Sequence, residues 1–123
     1  TLVSCGKIMK LALQAAADLE KEGISVEVID LRTVRPLDYD TVLESVKKTN
    51  RLVILEEAWP FASVASEITY MVQQKAFDYL DAPIKRITTP DAPAPYSAPL
   101  FEAWFPKLEK VKEEIKNAMY IKA

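Results

Sequence analysis

The sequence predicts an α/β fold, with a parallel sheet enclosed between helical layers. Three observations carry this. Short β-rich runs alternate with helical segments four times over, the order that favours a parallel sheet. The run Leu52 to Leu55 is four consecutive apolar residues, the pattern of a strand covered on both faces. The helical segments are each apolar along one stripe, as helices packed on a sheet must be.

The elements follow in order. Thr1 to Cys5 is a short strand ending at Gly6. Lys7 to Glu22 is helical, with Ile8, Leu11, Ala12, Ala15, Ala16 and Leu19 recurring at spacings of three and four. Gly23 is its left-handed stop, since it has no Cβ to clash there. Val26 to Leu31 is the second strand. Thr33 to Pro36 is a connection, because the residue before a proline is pushed out of the helical region. Asp38 or Asp40 caps a second helix from Tyr39 to about Lys48, with Val42, Leu43 and Val46 inward. Leu52 to Leu55 is the third strand. The third helix runs from near Ser63 to about Lys75 and buries Val64, Ile68, Met71 and Val72. Phe77 to Pro83 is a loop with aromatic anchors. Ile84 to Thr88 alternates apolar and charged residues, as an edge or half-exposed strand does. Pro90, Pro93, Pro95 and Pro99 make Thr89 to Pro99 an extended connection. Leu100 to Tyr120 is mainly helical and breaks at Pro106. Beyond that break Leu108, Val111, Ile115 and Met119 form one stripe, and Lys110 faces Glu114 one turn on.

Composition narrows the chemistry. The chain has 123 residues, a formal charge of −2, one cysteine, two glycines and no histidine. A single domain of this size builds its core without a disulfide or a metal. Without histidine there is no Ser-His-Asp triad, no Cys-His pair and no imidazole ligand for zinc. Two isolated glycines cannot write a dinucleotide or P-loop fingerprint. The near-neutral charge argues against a nucleic-acid surface, and no apolar run approaches the ~18 residues of a membrane span. The opening apolar run, Thr1-Leu2-Val3, reads as a cut through a longer protein, with no signal-peptide pattern.

In an open parallel sheet, ligands sit at the carboxyl ends of strands where the strand order reverses. Two loops qualify: Cys5-Gly6-Lys7, and Glu56 to Ser63. Cys5 is expected to pack as a small apolar residue. A phosphatase loop would place arginine six residues on, where Leu11 stands. Glu56 and Glu57 follow a buried strand. Adjacent residues on extended chain point to opposite sides, so these two do not share a proton as an acid/base pair would. One is expected to meet a helix N-terminus or a neighbouring chain, and the other to be solvated. Trp59, Pro60 and Phe61 either pack locally or touch another domain or subunit. Tyr96, Phe101, Trp104 and Phe105 are expected in the core. From spacing alone, Asp81 is a turn or cap residue.

Several segments taken together resemble a known family. They are Val26 to Asp38, Thr49-Asn50-Arg51-Leu52-Val53, Glu56-Glu57-Ala58-Trp59-Pro60, and Phe77 to Pro83 with its Leu80-Asp81-Ala82-Pro83. In order, over essentially the whole chain, they resemble the C-terminal domain of pyruvate dehydrogenase beta subunits, within the transketolase C-terminal domain family. Tyr96 after Pro95, and Trp59-Pro60, look more like the pyruvate enzymes than the branched-chain ones. Ala58 stands where relatives usually have glycine.

The resemblance implies a three-layer α/β/α domain with four parallel strands in the order 2-1-3-4. A fifth, antiparallel edge strand would precede Thr1 and be missing here. It implies that residues 1–123 are a fragment of a longer beta subunit, without its N-terminal pyrimidine-binding domain. The intact enzyme would be an α2β2 heterotetramer that decarboxylates pyruvate on thiamine diphosphate and reductively acetylates lipoyl groups, feeding acetyl-CoA formation. Thiamine diphosphate and magnesium would lie outside this chain, and no catalytic, cofactor-binding or metal residue maps onto it. The implied partners are the alpha subunit, a second beta subunit and the subunit-binding domain of dihydrolipoamide acetyltransferase, with no nucleic acid and no membrane. Asp81 and the chain end near Ile121 would dock that last partner, and Trp59, Pro60 and Phe61 would be subunit-interface residues. The compartment would be bacterial cytoplasm, favoured here, or mitochondrial matrix. The alternatives are the same domain of another thiamine enzyme, branched-chain or transketolase-like, and an independent flavodoxin-like ligand-binding domain. A phosphoacceptor receiver would need acids where the first strand instead ends Ser4-Cys5-Gly6.

Overall fold

The computed structural model describes residues 1–121. Four parallel strands, β1 (Leu2–Ser4), β2 (Val28–Asp30), β3 (Val53–Leu55) and β4 (Lys85–Ile87), pair in the order β2-β1-β3-β4. The order expected from the resemblance is therefore present. The regular strands are shorter than their apolar runs. The ladder continues for one bond past β2 on each side, through Leu2 N–H to Glu27 and Leu31 N–H to Ser4.

Alternation along the strands divides the core in two. Leu2, Val53, Leu55 and Ile87 face α1 (Met9–Lys21) and α5 (Leu108–Ala118), against Ala12, Leu19, Val111 and Ile115. Val3 and Ile54 face α2 (Tyr39–Thr49) and α3 (Val64–Lys75), against Val42, Val46, Ile68 and Val72. All three residues of β3 are buried, as a centrally placed strand requires. The result is the three-layer α/β/α arrangement.

Local chemistry sets the helix ends. A 3-10 turn, Gly6–Ile8, leads into α1, so the regular helix begins later than its periodicity suggests. At its far end Gly23 is left-handed (φ 81°) and donates to Glu20, while Ile24 donates to Leu19. This paired closure satisfies carbonyls that would otherwise be orphaned. Asp38, not Asp40, caps α2, accepting from the N–H and hydroxyl of Thr41 at 3.1 and 2.6 Å. Asn50 closes that helix in the left-handed region.

Several expected contacts are corrected. Phe77 and Tyr79, read as anchors, lie on an exposed 3-10 turn, and the small residues Ala76 and Ala82 are buried instead. Tyr96 is wholly exposed, not in the core. Phe105 packs against the α1/α5 cluster, while Phe101 and Trp104 are half-buried beside each other on α4 (Ala98–Trp104), whose rings lie 5.5 Å apart. In α3, Ala65 is fully buried, and Val64 and Met71 only partly so. Among the described residues, no helix is long and apolar enough to cross a membrane.

Candidate functional site

Two places bring the sequence candidates together. The first is the crevice between β1 and β3. Ser4 and Leu55 are register partners, so Cys5 and Glu56 leave the sheet side by side. The chain after β1 then turns to the α1 face, and the chain after β3 turns to the α3 face. Where they diverge, a cleft of about 560 Å³ opens between Cys5-Gly6-Lys7 and Glu56 to Val64, with Trp59 and Trp104 in its walls. Gly6 (φ 71°) makes the turn that a Cβ-bearing residue would strain.

Glu56 is the hub of this end of the sheet. It is 5% exposed, whereas Glu57 is exposed. One carboxylate oxygen accepts from Ser63 Oγ at 2.5 Å and the other from the Ala65 N–H at 3.1 Å. Ser63 is the N-cap of α3 and Ala65 lies in its first turn, where unpaired N–H groups and the helix dipole favour an anion. Glu56 thus caps α3, and the two carboxylates part as their adjacency requires. Arg86 reaches across from β4. Its Nη2 donates to Pro60 O at 2.6 Å and Ser63 Oγ at 2.9 Å, and lies 3.8 Å from Glu56. Its Nε is enclosed without an acceptor.

The remaining groups in the cleft are chemically quiet. Burial, and then the charges of Glu56 and Asp30, push the Cys5 thiol above its ordinary value, which keeps it protonated. Lys7 turns outward and stands 5.6 Å from the centre of the Phe101 ring. The α3 N-terminus is already occupied by Glu56. Trp59 and Phe61 project from the loop, 50% and 76% exposed, and Pro60 is exposed between them. Phe61 and Pro60 thus stand in the open, and Trp59 is half-exposed in the wall of the cleft.

The second place is the corner that carries Asp81. Three distant segments meet there. Asp81 N–H donates to Asn50 O, Asn50 Nδ2 donates to Tyr79 O, and the Tyr120 hydroxyl reaches Asp81 O at 3.5 Å. Arg51 joins two of them: its Nε donates to Ala118 O at 3.0 Å and its Nη1 lies 3.6 Å from Asp81 Oδ2. The Asp81 side chain is 59% exposed. Its carboxylate accepts no hydrogen bond from the described residues. A groove of about 480 Å³ runs beside it, between Phe77, Leu80, Pro83 and Tyr120. Phe77, Tyr79, Tyr120 and Ile121 are all exposed nearby in sequence or contact. The terminal carboxylate of Ala123 lies outside the described residues.

Arg51 and Arg86 carry both arrangements, and neither was singled out from sequence. Arg86 offered a faint signal: alternation puts it on the same face as Ile84, towards the α2/α3 core.

A family model described as "Transketolase, C-terminal domain" matches residues 1–111. This chain belongs to that family. Within the transketolase C-terminal domain family, it is 53% identical over 120 residues to the pyruvate dehydrogenase E1 component subunit beta of Rhizobium meliloti (strain 1021), covering 98% of this chain and 26% of that protein. It is 48% identical to the mitochondrial pyruvate dehydrogenase E1 subunit beta-1 of Oryza sativa subsp. japonica, over 98% of this chain and 32% of that protein. It is also 48% identical to the acetoin:2,6-dichlorophenolindophenol oxidoreductase subunit beta of Bacillus subtilis (strain 168), over 90% of this chain and 32% of that one. The chain thus spans roughly a quarter to a third of these relatives. Among solved structures, "Split gene transketolase, inactive beta4 tetramer" superposes with a TM-score of 0.81 at 24% identity, over 99% of this chain and 38% of that chain. That likeness is one of fold.

Proposed function

We propose that this chain is the C-terminal assembly domain of a pyruvate dehydrogenase beta subunit, part of a longer chain whose thiamine chemistry takes place elsewhere. The observation that carries the docking role is the Asp81 corner. An exposed carboxylate that accepts no hydrogen bond from the described residues sits among exposed aromatic and aliphatic groups, beside the segment that carries Tyr120 and Ile121. A cationic group flanked by apolar surface is the complement of such a corner. The partner is the subunit-binding domain of dihydrolipoamide acetyltransferase. Trp59, Pro60 and Phe61 form a second surface, which meets a neighbouring subunit of an α2β2 assembly.

On this reading thiamine diphosphate and magnesium are held by the alpha subunit and the N-terminal part of beta. Among the described residues, no three acid or cysteine side chains converge on a point where a cation could sit. The one buried carboxylate in the cleft, Glu56, has both oxygens bonded. This domain itself packs and docks, in bacterial cytoplasm or mitochondrial matrix.

Titration of the intact enzyme with the acetyltransferase subunit-binding domain tests the docking role. Losing one side of a desolvated charge pair costs about 2–5 kcal/mol. Asp81→Asn is therefore expected to weaken binding by about thirtyfold or more. Unchanged affinity at low and at moderate salt would remove Asp81 from the interface. The Bacillus relative supports a second reading, the beta subunit of an acetoin-oxidising enzyme. Turnover of pyruvate against acetoin by the intact enzyme separates the two.

A further inference from the structure

We propose that Arg86 is a positioning residue: together with Glu56 it fixes the loop that presents Trp59, Pro60 and Phe61. The inference rests on the reading above that these three residues contact a neighbouring subunit, and it adds how the contact is prepared.

The loop from Glu56 to Ser63 is anchored at both ends and in the middle. At its start, Glu56 is buried and bonded to the first turn of α3. At its end, the Ser63 hydroxyl donates to Glu56 and accepts from Arg86, so one oxygen relays between the carboxylate and the guanidinium. Near its tip, the Pro60 carbonyl takes the shortest bond that Arg86 makes, at 2.6 Å. Ala58 O accepts from the Thr89 N–H, a second tie to the chain that follows β4. Between the ties, Trp59 and Phe61 remain exposed.

Ala62 shows that these ties hold the backbone in a set conformation. It adopts φ 52°, in the left-handed region that an alanine enters only where its surroundings fix it. A free loop would relax out of that conformation. This loop is held there by a side chain from the neighbouring strand. Large aromatic groups presented on a fixed loop lose little freedom when they bind, which is how a small contact becomes a strong one. Arg86 is also the only described side chain that bonds to both the loop tip and the α3 cap.

The test uses the full-length subunit assembled with its alpha partner. Hydrogen exchange is read over residues 58–63, with β3 and α1 as internal references. Arg86→Met is expected to speed exchange in that loop at least tenfold while the references stay within twofold. Arg86→Lys, which keeps one cationic donor and drops the enclosed Nε, is expected to recover much of the protection. In sedimentation velocity, Arg86→Met is expected to weaken assembly at least fivefold, in parallel with the double variant Trp59→Ala/Phe61→Ala. If exchange in 58–63 is unchanged by Arg86→Met, or rises only in step with β3 and α1, the positioning role is overturned. Should Arg86→Met fail to fold, Arg86→Gln, which lacks the cation and the reach to Pro60, decides on the same ratio of loop to reference exchange. If the aromatic double variant assembles normally while Arg86→Met frees the loop, the contact reading fails and the positioning role stands.

Discussion

Removal of the Glu56 carboxylate is the most informative single perturbation of this domain. Glu56 is 5% exposed and accepts two hydrogen bonds, from Ser63 Oγ at 2.5 Å and from the Ala65 N–H at 3.1 Å. Bonds to a charged acceptor contribute about 1.5–3 kcal/mol each, so the two together amount to about 3–6 kcal/mol. Arg86 limits the loss, because it keeps Pro60 O and Ser63 Oγ as acceptors when the carboxylate goes. The buried Ala65 N–H has no such substitute. Glu56→Ala is therefore expected at the lower end, about 3–4 kcal/mol. Glu56→Gln retains one carbonyl acceptor and is expected to cost about half as much. In urea denaturation, with a slope of about 1–3 kcal/mol/M, the alanine variant lowers the midpoint by about 1–4 M. Glu57→Ala, on the exposed neighbour, is the control and stays within about 0.5 kcal/mol of the parent. An Ala variant within about 1 kcal/mol of the parent would show that α3 is not held by this carboxylate.

Two further outcomes follow from the electrostatics. Lys116 and Lys112 hold Glu22 below the usual carboxylate range, and Lys110 does the same for Glu114. Because the folded values are depressed, their contribution is complete above the unfolded value near 4.5 and is lost as pH falls through the folded values. Stability measured from pH 7 down to 3 should therefore fall below about pH 4.5, and less steeply in high salt, since these pairs are at the surface. A flat profile there would contradict it. Cys5, whose thiol is pushed up by burial and by two carboxylates, should alkylate with iodoacetamide at pH 8 several-fold more slowly than a free peptide cysteine. Equal rates would show an open, ordinary thiol.

What was legible in the sequence is what short-range chemistry decides. Gly23, an aspartate at 38 or 40 and the Leu52 to Leu55 run each fix a helix end or a strand by their own stereochemistry, and Gly23, Asp38 and Val53–Leu55 take those places. The crevice was legible too, because alternating strands and helices dictate where neighbouring loops diverge. Burial of the aromatics was not. Phe77, Tyr79 and Tyr96 are apolar by type yet exposed, while Ala76 and Ala82 are buried and Phe105 is partly buried against the α1/α5 cluster. The roles of Arg51 and Arg86 were invisible for a related reason. Arg51 meets the end of α5 67 positions away, and Arg86 meets Pro60 26 positions away, and no local periodicity records such partners.

The split core has a consequence for how the domain tolerates change. No buried residue is shared between the cluster under α1 and α5 and the cluster under α2 and α3. The four-stranded sheet lies between the two sets. Substitutions on opposite sides that share no contacts have additive effects. One side can therefore drift in sequence without forcing compensation on the other. The layer bearing α3, whose cap holds the Trp59 loop, is free to be tuned to a changing partner while the opposite layer keeps the domain folded.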